Sequence, residues 1–348
     1  SQARGCNPVA AHPTEHPAQV CHTAAPTEID LKHICDLLRQ PIDVFYRHRL
    51  DMDVRAPEAP LADAEPFDLN TLEMHRLVRA ALEHPDDWQV MARASGILPL
   101  GAMAKRPLLR LQSQVRALSD RLQSILQTDA WQSMDEQAVR WVNGGEGNEE
   151  PPQIIQGTVG GPLWYRPVSG AVMQIVLRPG ALSKSKVLRI HSLLPAWAGH
   201  VLTNATGLTC TTHWIGLGEH KVLSPMPSEQ AQAVLAHWLR LYRRAWAAPM
   251  AVPGESACVW LAQAQAPGKD SDSEKRHKRA HADARTRFMG SKQSRREAER
   301  QTVSMMRRHA SDYSDVALAI EKLAPELYAD LLRALQAPNR EPGESDDE

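Results

Sequence analysis

A run of short apolar segments in the middle of the chain constrains the fold more than any other feature. Each segment is rich in Val, Ile, Leu or aromatic residues, and Gly-Gly-Pro and Ser-Gly separate them: residues 153–159, 163–168 and 172–178. Such segments, bounded by turn residues, predict short strands joined by tight turns. A helix bent at Pro195 is predicted for residues 185–206, and a strand pair for 209–217 and 221–223. The order of helix, three strands, helix and strand predicts an α/β fold.

Apolar residues at helical spacing dominate the chain on both sides of this β-rich core (150–224). The block before the core (28–142) contains four helical segments, at residues 31–50, 68–84, 107–127 and 131–142. The region after it (228–337) contains two clear ones, at residues 229–246 and 313–335. Breaks are predicted at Pro41 and Pro325, since proline interrupts the helical hydrogen bonds. Large helical elaborations are therefore expected around the sheet.

The two ends of the chain lack apolar periodicity. Residues 1–27 are rich in Pro, Ala and His, which predicts a flexible arm or linker, and the acidic residues 338–348 predict a disordered tail. The arm contains four potential metal ligands whose spacing matches no zinc pattern: His12, His16, Cys21 and His22. A solvated arm is the favoured interpretation.

Composition and motifs exclude several classes of protein. The 348 residues are 43% hydrophobic, yet no apolar run approaches the roughly 18 residues that a membrane span needs. No secretory signal opens the chain, and its five cysteines are scattered, which predicts reduced thiols and a cytoplasmic location. GxxxxGK[ST], HExxH and CxxC motifs are absent. We expect no catalytic residue, no cofactor and no metal site.

Residues 151–218 contain no Asp or Glu but have five basic residues. A metal-dependent phosphodiesterase holds Mg²⁺ through carboxylates, and none can come from this stretch. Two interpretations of its charge remain open, a solvated face and a surface that tracks nucleic-acid phosphates. For the second, a predicted helix start near Lys184 adds backbone N–H donors. The DNA-binding candidates are Trp164, Arg166, Arg178, Lys184, Lys186 and Arg189.

Three further signals favour ordinary packing or leave the interpretation open. Trp197 and His200 share a helix face, which favours core packing. Residues 269–310 have a net charge of +7, which a solvated helix face, contact with DNA or contact with a protein partner could each explain. The helical regions contain large apolar side chains that favour protein interfaces, namely Met74, Met91, Met103, Trp88 and Trp131.

Several separated segments resemble the RecC family. They are LLRQPIDVFYRHRL (37–50), EPFDLNTLEMHRLVRAALE (65–83), ASGILPLGA (94–102), LLPAWAGHVLTNATG (193–207), LSPMPSEQAQAVLAHWLRLYRRAWAAPM (223–250) and ARTRFMG (284–290). They stand in the order of the family and span residues 28–335. The resemblance implies that residues 28–340 form a RecC C-terminal domain with a PD-(D/E)xK nuclease-like core that is degenerate and inactive. Active relatives have acids near positions 157–160 (GTVG) and 174–178 (QIVLR), and neither position has one here.

The resemblance also implies a function. A domain of this family docks the RecB and RecD motor subunits of an ATP-dependent exodeoxyribonuclease and helps divide duplex DNA at a fork during double-strand break repair and recombination. The chain itself is then inactive. Two alternatives remain, a structural interaction module without DNA contact and an active nuclease that uses acids from outside the central strands.

Overall fold

The computed structural model describes residues 24–52, 69, 71–84, 86–99, 101–126, 131–144, 152–167, 169–184, 187–265, 273–290 and 313–336. Within these ranges the chain forms one mixed sheet with helices packed on both of its faces. The predicted α/β class is confirmed. The predicted arm (1–27) lies outside the described residues except for 24–27, and the predicted tail (338–348) lies outside them entirely.

The main sheet is built around one long strand. Its strands are β1 (Glu28–Asp30), β2 (Gln132–Asn143), β3 (Gln153–Arg166), β4 (Ala171–Leu177), β7 (Cys210–Gly216) and β8 (Glu219–Leu223). β2 pairs antiparallel along one edge of β3, while the other edge pairs with β1 in parallel and with β4 antiparallel. β7 lies parallel to β4, and β8 returns beside it as a hairpin. A small second hairpin comprises β5 (Ser183–Lys184) and β6 (Val187–Leu188).

The first helix group builds the larger hydrophobic core on one face of the sheet. It comprises α1 (Leu31–Arg39), α5 (Leu194–Ala205), α6 (Ser228–Ala247), α7 (Gly254–Ala264), α8 (Ser273–Met289) and α9 (Tyr313–Gln336). α5 is buried along almost its whole length, which fits its apolar composition on all sides. Its Trp197 packs edge-on against Trp238 of α6, with the ring centroids 6.4 Å apart. The prediction that Trp197 and His200 belong to the core is confirmed, since they are 1% and 0% exposed.

The second helix group covers the opposite face with a smaller core. It comprises α2 (Thr71–Glu83), α3 (Trp88–Ala94) and α4 (Lys105–Leu126). Val78 and Leu118 of these helices are fully buried, in the same cluster as Met173 and Ile175 of β4 and Ile215 of β7. Successive residues of a strand point to opposite faces, so β4 and β7 supply side chains to both cores.

Much of the predicted order of elements is confirmed. α1 ends before Pro41, and α2, α4 and α6 lie where apolar periodicity predicted helices. β7 and β8 form the predicted strand pair. No helix in the described ranges is long and apolar enough to cross a membrane.

Three predictions of secondary structure before β4 and within α9 are wrong. Residues 131–142 form β2 rather than a helix, because Val139 and Trp141 are buried while Arg140 between them is exposed, a period of two. The predicted strands 153–159 and 163–168 are one strand, β3, because β2 pairs with it along its full length. The pairing shifts register between Met134 and Glu136 of β2 and then continues. Within α9, Pro325 lies inside a continuous helix and not at a break.

The predicted helix 185–206 is also shorter than expected. Its first part contains strand β6 and a 3₁₀ turn at Ile190–Ser192, and α5 begins only at Leu194. Pro195 lies in the first turn of α5, where its missing N–H costs nothing, so it starts the helix and does not bend it.

Candidate nucleic-acid interface

The first of the two positions at which the family resemblance predicts a lost acid, near Gly157, lies against α1. A methyl group built on Gly157 of β3 would lie 2.6 Å from Cβ of Leu31, closer than real Cβ contacts come. No carboxylate side chain fits there without moving α1. Two residues along, Val159 is 3% exposed and contacts α5, where a methyl group on Gly199 would lie 3.0 Å from Val159 Cγ1. Helix packing fills this part of β3.

The second such position holds a neutral hydrogen-bonded network. Gln174 of β4 is 5% exposed, and its Oε1 accepts a hydrogen bond from the Thr212 hydroxyl of β7 at 3.2 Å. His200 Nδ1 of α5 lies 3.0 Å from the same hydroxyl oxygen. Burial lowers the pKa of His200 to about 4, so its imidazole is neutral at pH 7. Three uncharged side chains therefore occupy this position.

The described residues contain no cluster suited to a metal. No group of three or more His, Cys, Asp or Glu side chains with that geometry occurs within the described ranges. Cys35 and Cys210 in these ranges are free, and burial raises the pKa of their thiols to about 12.

The DNA-binding candidates lie in two places. Trp164 and Arg166, near the end of β3, are half-buried on the face covered by the second helix group. The Arg166 guanidinium carbon lies 4.9 Å from the ring centroid of Trp131, so this cation already has an aromatic partner. Trp164 packs against the second core, which leaves only part of its ring to stack with a base.

Arg178 and Arg189 lie at the other end of β4. Arg166 pairs with Ala171 at the start of β4, and Arg178 follows its end, so roughly seven residues, or about 23 Å of strand, separate the two arginines. The structure therefore brings Arg178 and Arg189 together but places Trp164 and Arg166 elsewhere. Lys184 ends β5 and so belongs to a hairpin rather than to a helix start. Lys186 and the Lys184 side chain lie outside the described residues.

Hydrogen bonds hold the two arginines in a defined arrangement. Arg178 Nη1 donates to the Ser192 hydroxyl, and that hydroxyl donates to the Arg189 carbonyl at 2.9 Å. The backbone N–H of Arg189 donates to the Leu182 carbonyl at 2.8 Å. Burial, followed by the charge of Arg189, lowers the pKa of Arg178 from its ordinary value.

His75 of α2 joins this pair, although no sequence pattern singles it out. A methyl group on Gly180 would lie 3.6 Å from His75 Nε2, which places the imidazole over the segment that follows Arg178. Burial lowers the pKa of His75, and the charges of Arg178 and Arg189 lower it further. Local signals cannot reveal this contact, because about a hundred residues separate His75 from the two arginines.

The basic segment near the end of the chain forms a helix with an exposed cationic face. The described part of it is α8, on which four basic side chains are exposed, Lys275, Lys278, Arg279 and Arg285. Lys278 pairs with Glu274 of its own helix at 2.7 Å, and Arg287 pairs with Glu255 of α7. Ion pairs neutralise part of the helix, while the rest of its charge faces solvent.

The predicted interface residues divide between core and surface. Met74 and Trp88 are buried, so for these two the interface prediction is wrong, because they fill the second core. Met91 and Met103 are 43% and 57% exposed, and Val90 of α3 and Leu109 of α4 are 70% and 59% exposed. α3, α4 and the segment between them also line a groove of about 410 Å³. We call Val90, Met91, Met103 and Leu109 the α3–α4 patch.

Comparisons with known proteins agree with the resemblance in sequence. The RecC C-terminal domain family matches residues 26–265. The RecBCD enzyme subunit RecC of Escherichia coli (strain K12) is 24% identical over 251 residues, which are 68% of this chain and 19% of that protein. The chain thus spans about a fifth of the length of this curated relative. The crystal structure of SSO0001 aligns with 64% of this chain and 79% of its own at 12% identity, with a TM-score of 0.26, too low to indicate a shared fold.

Proposed function

The chain belongs to the RecC C-terminal domain family, and from this premise we propose that it is a non-catalytic part of a RecBCD-type helicase–nuclease. In this role it docks RecB-type and RecD-type motor subunits and helps to separate DNA strands at a fork during double-strand break repair and recombination. The observation that carries the non-catalytic assignment is the neutral network of Gln174, Thr212 and His200.

A degenerate PD-(D/E)xK core is part of this proposal. It is supported by the order of α4, three antiparallel strands (β2, β3 and β4), α5 and then β7 parallel to β4. The order of element types agrees with the one expected from the family resemblance, although β2 takes the place of one predicted strand and β3 unites two others. Within such a core the acids belong near Gly157 and Gln174, on β3 and β4.

Hydrolysis of a phosphodiester by such a core requires a metal that polarises the phosphate and supplies hydroxide near pH 7. Mg²⁺ is held through oxygen ligands, above all carboxylates. Gly157 has no room for a side chain, and the amide of Gln174 is already engaged with Thr212. The central strands β3 and β4 contain no acidic residue at all. The proposal therefore assigns the core a structural role in the assembly.

DNA contact in this proposal is carried by the basic stretch. Its support is the excess of five basic over no acidic residues in 151–218, together with the exposed cations of α8. Phosphate contacts of this type bind DNA with little regard to sequence and weaken as salt concentration rises.

The cleavage test is direct. We expect the purified chain to leave linear and forked DNA intact with either Mg²⁺ or Mn²⁺, as measured by gel electrophoresis of end-labelled substrates. The decisive control replaces acids of the helical block by Asn, namely Asp51, Asp53, Asp86 and Asp87. Cleavage that co-elutes with the wild-type chain and disappears in this variant would show that acids outside the central strands build an active site, and would overturn the proposal.

The second candidate function is a structural interaction module that does not touch DNA. The α3–α4 patch favours it, since large exposed apolar side chains typify surfaces that bind other proteins. The two functions share the docking role and differ only in DNA contact. Salt-sensitive binding of DNA by the chain separates them.

A further inference from the structure

Three nitrogen-bearing side chains lie close to the carboxyl end of β4. Arg178 directly follows the strand, Arg189 follows β6, and His75 reaches the same place from α2 on the neighbouring layer. In the described part of the chain, the charged groups that shift the pKa of His75 are the two arginines, with no carboxylate among them. The surrounding stretch, 151–218, has no acidic residue of its own.

Hydrogen bonds hold Arg178 in place, and one of its N–H donors has no partner in the described part of the chain. The Arg178 backbone N–H donates to the Ile215 carbonyl at 2.8 Å, which ties the residue to the end of β7. Its guanidinium is anchored through one nitrogen to Ser192. The Nε of Arg178 is buried and has no hydrogen-bond partner within the described residues. A half-buried guanidinium with an unsatisfied donor is costly unless an acceptor binds it.

We propose that His75, Arg178 and Arg189 form a binding site for a phosphate group. Guanidinium groups pair with phosphate oxygens through charge-assisted hydrogen bonds, and a neutral imidazole adds a further donor. An anion would also remove the repulsion between two neighbouring arginines. Arg189 is exposed and opens the site to solvent, so that a phosphate on a polymer can reach it.

The phosphate can come from two sources, the backbone of a nucleic acid or free inorganic phosphate. The site itself stands on the three side chains alone, whereas the nucleic-acid source rests on the proposed function. Single-stranded or forked DNA is the source that we infer, since the site lies in the basic stretch to which the proposed function assigns DNA contact.

The experiment titrates the full-length chain with inorganic phosphate at constant ionic strength and follows binding by calorimetry. It uses three variants, Arg178→Gln, Arg189→Gln and His75→Ala, and a control, Arg116→Gln, whose side chain is exposed on α4. We expect phosphate affinity to fall at least about tenfold in each arginine variant, because each removes a charge-assisted hydrogen bond. The control should bind like the wild type. Should Arg178→Gln fail to fold, the exposed Arg189 supplies the test.

A second titration uses a short single-stranded DNA, and a third uses an acidic peptide. We expect DNA binding to weaken in the arginine variants, with the slope of log affinity against log salt reduced by about 0.7 for each phosphate that the variant no longer neutralises. Loss of phosphate binding without any effect on DNA binding would support the site but assign it to free phosphate. Equal binding of phosphate and DNA by the wild type and all variants would overturn the proposal, as would binding of the peptide alone. The titrations contain no partner subunits, so their outcomes do not depend on whether the proposed docking occurs.

Discussion

Hydrogen bonds link several buried polar side chains behind β4 and β7. Beyond Gln174, Thr212 and His200, the Asn204 amide donates to the His200 carbonyl at 2.8 Å, and its Oδ1 accepts from the Cys210 backbone N–H at 3.1 Å. Buried polar groups are tolerated when they are hydrogen-bonded and uncharged. At the scale of single residues, this part of the core is therefore built from polar side chains that are uncharged at pH 7.

His200 makes this network sensitive to acid. Its pKa is about 4 in the folded chain and near 6.5 when unfolded, so between these values only the unfolded state takes up a proton. The free energy of unfolding should therefore keep its full value above about pH 6.5. Below that pH, His200 should lower it by up to about 1.4 kcal/mol per pH unit. We expect His200→Gln to be less stable at pH 7 but to lose less stability between pH 7 and pH 5.

Urea denaturation at a series of pH values measures this effect. Half-buried histidines add to the slope of the wild type, among them His213, whose pKa is also lowered to about 4 by partial burial. The informative quantity is thus the difference in slope between wild type and variant. Val90→Ala, at a side chain that is 70% exposed and does not titrate, is the control and should keep the wild-type slope. Parallel slopes in the wild type and His200→Gln would contradict the prediction.

Two glycines allow α1 to approach its neighbours closely. Gly157 brings β3 against the start of α1 at Leu31, and Gly254 brings the start of α7 against its end, where a methyl group would lie 1.9 Å from the Arg39 carbonyl oxygen. The Tyr328 hydroxyl of α9 donates to the Leu38 carbonyl at 2.8 Å, close to the same helix end. At the scale of elements, α1 is the helix on which β3, α7 and α9 converge.

Gly157→Ala tests the packing of β3 on α1. The added Cβ would lie 2.6 Å from Leu31 Cβ, so strand and helix must separate, and overpacking of this kind costs about 1–3 kcal/mol. Gly180→Ala is the matched control, since its added Cβ would meet His75 Nε2 at an ordinary contact distance of 3.6 Å. We expect the control to change the free energy of unfolding by less than about 1 kcal/mol. Equal stability of the two variants in urea denaturation would count against this packing.

The sheet separates a large core from a small one, and the helices over the small one expose apolar side chains. The second helix group buries Met74 and Trp88 but leaves the α3–α4 patch in solvent. Exposed apolar side chains of this size typify protein-binding surfaces. At the scale of the whole molecule, this patch is the surface that we assign to a partner subunit of the RecBCD-type assembly.

Replacing Met103 and Leu109 by Asp should abolish binding at this patch. Charged side chains in the centre of an interface remove apolar contacts worth about 2 kcal/mol or more, which weakens binding about thirtyfold. We expect the double variant to be absent from co-purification with RecB-type and RecD-type subunits. Leu318→Asp, on α9 at a side chain that is 72% exposed, is the control and should co-purify normally. Retention of the double variant by both subunits would remove the patch from the proposal.

Features that depend on neighbours in sequence could be read from the sequence alone. The spacing of apolar residues and the turn residues predict the helices α2, α4 and α6 and the β7–β8 pair. The apolar pattern of a helix or a strand repeats within a few residues, so it can be recognised locally. The absence of acids from 151–218 is likewise a property of the sequence, and with it the lack of carboxylates on β3 and β4.

Features that depend on contacts between distant segments required the tertiary structure. β2 is a strand because β3 offers it a partner along its full length, and Pro325 stays within α9, whose apolar face is buried in the main core. The same holds for the candidate site, since the sequence indicates Arg178 and Arg189 among six candidates but only the fold brings His75 close to these two. Local periodicity encodes which face of an element is apolar. Only the packing of whole elements decides which side chains meet across that face.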